Sequence, residues 1–236
     1  GKSIRSLLPH RLNLCGIIFC MGMRKTTFAP DEYYHVFNRG NNKQEIFYDK
    51  RDYDHFLKLL YLCNSPRSFV ARDIGKDYYE FERGDTFVSI GAFCLMPNHF
   101  HLLVKEKEEG GIVKFIKKLS TAYVMYLNTR HKRSGGLFEG RFKSEHLNND
   151  RYLKYIFSYI HLNPLKLIDK NWKENGLKDR KNAERYLNEY RHSSFSEYAQ
   201  NQISQSQTLD KSAFPEYFPS PKEFMNEIGD WINFTP

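Results

Sequence analysis

The chain has 236 residues, 40% hydrophobic and 16% aromatic, enough apolar material for one large domain or a domain with an appendage, so disorder is not the default. A formal net charge of +8 favours a polyanionic partner, most simply nucleic acid, over an acidic small molecule. Cys15, Cys20, Cys63 and Cys94 form no CxxC pair, which argues against a zinc ribbon or disulfide framework and suits a reducing cytoplasm, and no apolar run approaches the ~20 residues of a membrane span.

The opening "GKSIRSLLPHRLNLCGIIFCMGMRK" is basic and then apolar, but its apolar core is short and no small-residue cleavage site follows. Residues 1–22 are therefore expected to be a poorly ordered N-terminal extension, and the domain proper to run over 23–199. "YYHVFNRG" (33–40) predicts a strand ending in a glycine turn. "DKRDYDHFLKLLYLC" predicts a helix with Asp49 as N-cap and Tyr53, Phe56, Leu57 and Leu60 at helical spacing. "FVSIGAFCLMPN" (87–98) reads as a buried strand, and after the Pro97-Asn98 turn "HFHLLVKE" returns beside it.

"GGIVKFIKKLSTAYVMYLNTRHKR" is an amphipathic helix with Ile112, Phe115, Ile116, Leu119, Ala122, Tyr123 and Tyr126 on one side. "SGGLFEGRFKSEHLNN" reads as a glycine-punctuated hairpin or loop. "DRYLKYIFSYIHLNP" predicts another helix, capped by Asp150 and closed around Asn163-Pro164. Beyond residue 168 the pattern weakens, and 200–236 reads as a polar linker, "QNQISQSQT", with a short aromatic C-terminal segment. The order strand, helix, strands, helix predicts an α+β fold: an antiparallel sheet with helices on one face and the other free to carry a site.

Three features bear on chemistry. In a strand, residues i and i+2 share a face, so Phe100, Leu102 and Val104 point one way while His99 and His101 point the other with Leu103. Facing a pocket, the two imidazoles are metal ligands aimed at one point, yet they leave a metal under-coordinated. Mg²⁺ needs further oxygen from a side chain, water and substrate phosphate, and Mn²⁺ tolerates imidazole better. The plain alternative makes one histidine a sheet-edge cap and the other a backbone hydrogen bonder. Tyr159 and Asn163, four residues apart, share a helix face that Tyr155 continues. An activated phenol is a nucleophile toward phosphate, but nothing in spacing selects Tyr159 among the sixteen tyrosines. Finally, Lys114 to Lys143 holds eight Lys or Arg against one acid, Glu139, interleaved with aromatics and glycines. That mixture suits phosphate contacts and base stacking, or else a solvated helix end.

Taken in order, "HVFNRGNNKQEIFYDKRDYDHFL", "AFCLMPNHFHLLV", "LFEGRFKS" and "YIFSYIHLNPLK" resemble the REP-associated tyrosine transposases of the HUH single-strand transposase class. The match covers roughly residues 33 to 168, and "YRHSSFSEY" is family-like too. The resemblance implies a ferredoxin-like α+β fold and Mg²⁺- or Mn²⁺-dependent nicking and strand transfer on single-stranded DNA beside a hairpin. It implies His99 and His101 as the metal-holding pair with Phe100 between them, Tyr159 as the nucleophile forming a 5′-phosphotyrosine, and Asn163 as a polar residue assisting at the metal. Arg39, Arg130, Lys132, Arg133, Arg141 and Lys143 are the candidates, from charge and position, for holding the DNA. Activity is expected to fall at acidic pH, with a flat profile down to about pH 5 counting against histidine ligation. The competing readings are a metal-dependent phosphodiesterase in which water attacks, and a non-catalytic hairpin-binding protein. A cytoplasmic monomer or homodimer, without membrane association, fits all three.

Overall fold

The computed structural model describes residues 27–200 and 207–233. The expected extension over 1–22, the domain start at 23, Cys15 and Cys20, and most of the polar linker lie outside the described residues. β1 (Tyr33–Arg39) leads into α1 (Lys50–Leu62), whose N-cap Asp49 accepts a hydrogen bond from the Arg51 amide, as the sequence predicts. β2 (Val88–Met96) and β3 (His99–Glu106) form the expected hairpin about Pro97-Asn98, and α2 (Gly111–Arg130) follows.

The stretch expected as hairpin or loop contains a further strand, β4 (Lys143–His146). The next helix, α3 (Asp150–Leu162), is capped by Asn149 rather than Asp150: the Asn149 side chain accepts from the Tyr152 amide, which leaves Asp150 as the first helical residue, its charge near the positive end of the helix.

The sheet order is β2-β3-β1-β4, with every neighbouring pair antiparallel. β1 and β2 thus run parallel with β3 between them, joined through α1, while β3 and β4 flank β1 and are joined through α2. These two interleaved crossovers are the ferredoxin-like arrangement. Both crossover helices lie on the face that Phe100, Leu102 and Val104 point to: the Phe56 ring of α1 sits 5.3 Å from Phe100 and 4.9 Å from Tyr123 of α2.

The opposite face is covered in part. α3 packs on β2 and β3, followed by a short 3₁₀ turn (Asn163–Leu167), α4 (Trp172–Asn175), α5 (Arg180–Glu189), α6 (Phe195–Ala199) and α7 (Pro221–Asn233). With layers on both sides, all nine residues of β2 are buried. Residues 207–233 also pack on this body. The Asp210 amide donates to the Ile90 carbonyl at 2.9 Å, beside a register shift between Ile90 and Ala92. Phe214 lies against Gly91 there, where a Cβ would come within 2.7 Å of its ring. Lys154 of α3 pairs with Glu227 of α7 at 2.9 Å.

Candidate active site

Residues directly opposed on neighbouring strands project to one face. Phe37 opposes His101 and Arg39 opposes His99 across β1 and β3, and His35 opposes Glu145 and Phe37 opposes Lys143 across β1 and β4. His35, Arg39, His99, His101, Lys143 and Glu145 therefore all project toward the α3 side. The His99 and His101 rings meet edge-on with centroids 4.9 Å apart.

Each ring has one nitrogen engaged. His99 Nδ1 lies 2.6 Å from Asn98 Oδ1, and the Asn98 amide nitrogen donates to the Lys43 carbonyl at 3.1 Å. His101 Nδ1 lies 2.8 Å from His35 Nε2. His35 Nδ1 in turn faces Glu145 Oε2 at 3.5 Å, an ion-pair distance longer than a good hydrogen bond, and Tyr152 donates its hydroxyl to the same oxygen at 2.9 Å.

Burial, reinforced by the charges of Lys166 and Arg39, pushes the His99 pKa down to about 4. Burial, with His99, His35 and two lysines nearby, holds His101 well below the usual histidine range. Both rings are neutral at pH 7, the form in which imidazole binds a metal.

α3 sets Tyr159 over these rings, its centroid 5.6 Å from His101 and 6.0 Å from His35. Tyr152, Tyr155 and Tyr159 form a stacked row, as the helical spacing predicts, while Leu153, Ile156, Phe157 and Ile160 are buried. Burial raises the Tyr159 phenol pKa, a hydrogen bond from Asn163 opposes the rise, and Glu145 adds to it. Asn163 is itself buried, and both ends of its amide are engaged: it donates to the Tyr159 carbonyl at 3.0 Å and accepts from Lys166 Nζ at 3.2 Å.

Two lysines that the sequence did not single out complete the surroundings. Lys166 Nζ lies 5.3 Å, and Lys173 Nζ 4.3 Å, from the Tyr159 ring centroid. Lys173 is an exposed residue, and desolvation of its ammonium, reinforced by the charge of Lys166, lowers its pKa to about 8. His35 was also missed as a site residue. It lies within the quoted "HVFNRG", but only strand register reveals what it touches.

The six basic candidates separate. Arg39 is on the site face with its guanidinium on Glu139, and Lys143 is exposed on the same face. Arg141 is exposed and lines a groove with Lys117, Phe138 and Phe142 on the α2 side of the sheet. Lys132, exposed, and Arg133, partly buried, follow the end of α2. Arg130 is instead a structural tie: it bonds Asp49 at the start of α1 and the fully buried Asp52, which also accepts from Tyr126 and from the Tyr48 amide. A run of charges in sequence does not reveal such partners, which lie about eighty residues upstream.

No group of three or more His, Cys, Asp or Glu side chains is placed to hold a metal among the described residues. The donors on offer are two neutral imidazoles with an amide beside them. That set does not close a structural zinc site, but it fits an ion such as Mn²⁺ or Mg²⁺ that keeps water and substrate phosphate as further ligands.

No curated protein matches the chain. A solved structure of a REP-associated tyrosine transposase bound to a REP hairpin is similar at 13% identity and a TM-score of 0.44, over 75% of this chain and 84% of that one. The family model for IS200-like transposases matches residues 29–163, more than half of the chain and the whole span from the first strand through the tyrosine helix. The chain belongs to the IS200-like transposase family.

Proposed function

We propose that this protein nicks single-stranded DNA beside a hairpin and rejoins strand ends through a covalent link to Tyr159. One observation carries the reading: in a single chain, the Tyr159 ring lies 5.6 Å from that of a neutral, buried histidine whose neighbour two residues away is also neutral. His99 and His101 would hold a divalent metal, Mg²⁺ or Mn²⁺, through Nε2. Asn163 would assist by fixing the end of the tyrosine helix, since both ends of its amide are already bonded. When bound, the metal supplies positive charge that polarises the scissile phosphate and stabilises the leaving oxygen.

The chain's own groups do the rest. Tyr159 Oη attacks phosphorus, the bond from phosphorus to the 3′ oxygen breaks, the phenol proton is released and the 3′ oxygen is protonated. The product is a 5′-phosphotyrosine and a free 3′-hydroxyl. Attack by another 3′-hydroxyl reverses the exchange with the number of phosphate ester bonds unchanged, so no nucleotide is consumed. Because burial raises the phenol pKa, the phenolate needs help, and Lys166 and Lys173 place two positive charges beside the ring. Arg39, Lys143 and Arg141, with Lys132 and Arg133, remain the candidates for phosphate contacts.

End-labelled hairpin oligonucleotides with single-stranded flanks, incubated with the protein and Mn²⁺ and run on a denaturing gel, test the reading. A labelled band at protein mass, absent in Tyr159→Phe and in His99→Ala, is expected. Cleavage that persists in Tyr159→Phe without a band indicates hydrolysis by water. Binding to a cognate hairpin with no cleavage indicates a non-catalytic binding protein.

A further inference from the structure

An imidazole can ligate a metal only through a nitrogen that carries no proton, and the hydrogen bond at its other nitrogen decides which one that is. For His99 the assignment follows from Asn98. The Asn98 Nδ2 donates to the Lys43 carbonyl, so its Oδ1 is the atom facing His99 Nδ1 and can only accept. His99 therefore carries its proton on Nδ1 and leaves Nε2 bare.

For His101 the neighbour is another imidazole, which can donate or accept, so the pair alone decides nothing. The decision comes one residue further out. His35 Nδ1 faces the carboxylate of Glu145 at 3.5 Å. Glu145 Oε2 also takes the Tyr152 hydroxyl at 2.9 Å, and a carboxylate offers His35 an acceptor only. A His35 ring with one proton, placed against that acceptor, carries it on Nδ1 and turns a bare Nε2 to His101 at 2.8 Å.

We propose that His35, oriented by Glu145, is a positioning residue that holds His101 as its Nδ1–H tautomer and so keeps the His101 Nε2 lone pair available for metal. The proposal rests on the reading of His99 and His101 as metal ligands, but its central claim concerns proton positions and is measurable without metal. His35 is buried, its ring stacks on His101 with centroids 5.0 Å apart, and its strand register puts it on the site face. The arrangement is a row from carboxylate to imidazole to imidazole, the outer-shell pattern that orients histidine ligands elsewhere.

Long-range ¹H–¹⁵N spectra of the metal-free, ¹⁵N-labelled protein at one neutral pH report the tautomer of each ring. His35, His99 and His101 are expected as Nδ1–H. Finding His101 as Nε2–H, or His35 protonated on both nitrogens, overturns the proposal. Mn²⁺ titrations followed by electron paramagnetic resonance then compare wild type with His35→Gln, whose side-chain oxygen still accepts from His101, and with His35→Phe, which fills the space without an acceptor. The Gln variant is expected within about threefold of wild type and the Phe variant about 10- to 100-fold weaker. Equal Mn²⁺ affinity in wild type and a folded Phe variant overturns the proposal, with circular dichroism establishing the fold. Absence of Mn²⁺ binding by wild type, with His101 found as Nδ1–H, supports the tautomer assignment and refutes the metal reading instead.

Discussion

His101 and His161 are both buried and both neutral, yet their rings are used differently. His161, from the "YIHLNP" stretch, has Nδ1 on the Phe157 carbonyl within α3 at 2.9 Å and Nε2 on Ser194 Oγ at 2.7 Å, so both nitrogens are engaged and the second ties α3 to the segment before α6. His99 and His101 each have only Nδ1 engaged, by Asn98 and by His35. With the His99 pKa near 4, the pair stays neutral well below the usual histidine range, so a flat profile down to about pH 5 agrees with histidine ligation. This revises the expectation drawn from the sequence.

Glu197 gives a sharper pH test. It is fully buried, neither carboxylate oxygen has a hydrogen-bond partner, and burial, only partly offset by Lys211, lifts its pKa from 4.5 to about 8. Between those values the unfolded chain has lost the proton that the folded chain keeps, so stability falls as pH rises and the full penalty is present above pH 8. Glu197→Gln is expected to match wild type near pH 4 and to be more stable by about 2–4 kcal/mol at pH 9. Urea unfolding at the two pH values measures the difference.

At the scale of elements, Arg130 joins the last turn of α2 to the first turn of α1 through Asp49 and Asp52. Arg130→Met is expected to lower the unfolding temperature, because Asp52 loses its cationic partner in a fully buried position, and to leave the salt dependence of DNA binding unchanged. A lowered salt slope with an unaltered unfolding temperature would restore Arg130 to the DNA surface.

The long elements were readable because each buries a stripe of apolar residues at its own period. β4 was not: its four residues, KSEH, have no apolar alternation, and it is a strand because the outer edge of β1 offers it a ladder. The HxH pair and Tyr159 stand out as candidates through ordered motifs. His35, Glu145, Lys166 and Lys173 do not, because their placement beside that pair depends on register and on a turn after α3 that returns two lysines to the tyrosine ring.

For the whole molecule, a net charge of +8 predicts attraction to DNA but not where it binds. Of the basic candidates, Arg39 and Lys143 lie on the site face, Arg141 lines the groove on the other, and Lys132 and Arg133 follow the end of α2. Affinity for a hairpin oligonucleotide is expected to fall with salt, and Lys143→Ala to reduce the log–log slope by about 0.7–0.9 if its ammonium neutralises one phosphate. Binding isotherms at four salt concentrations measure it, and an unchanged slope would remove Lys143 from the interface.

β1 is the strand that both β3 and β4 are measured against, since it carries His35 and Arg39 between the histidine strand and Glu145. Alternation along a strand has period two, so adding or deleting one residue within Tyr33–Arg39 would turn part of β1 to the α1 and α2 side. Composition and charge would hardly change, and the HxH and tyrosine motifs would remain intact. Such a protein would pass every motif inspection with its proton-positioning histidine facing the wrong way. A gap placed inside β1 of a relative therefore marks a chain whose chemistry has to be assayed rather than inferred.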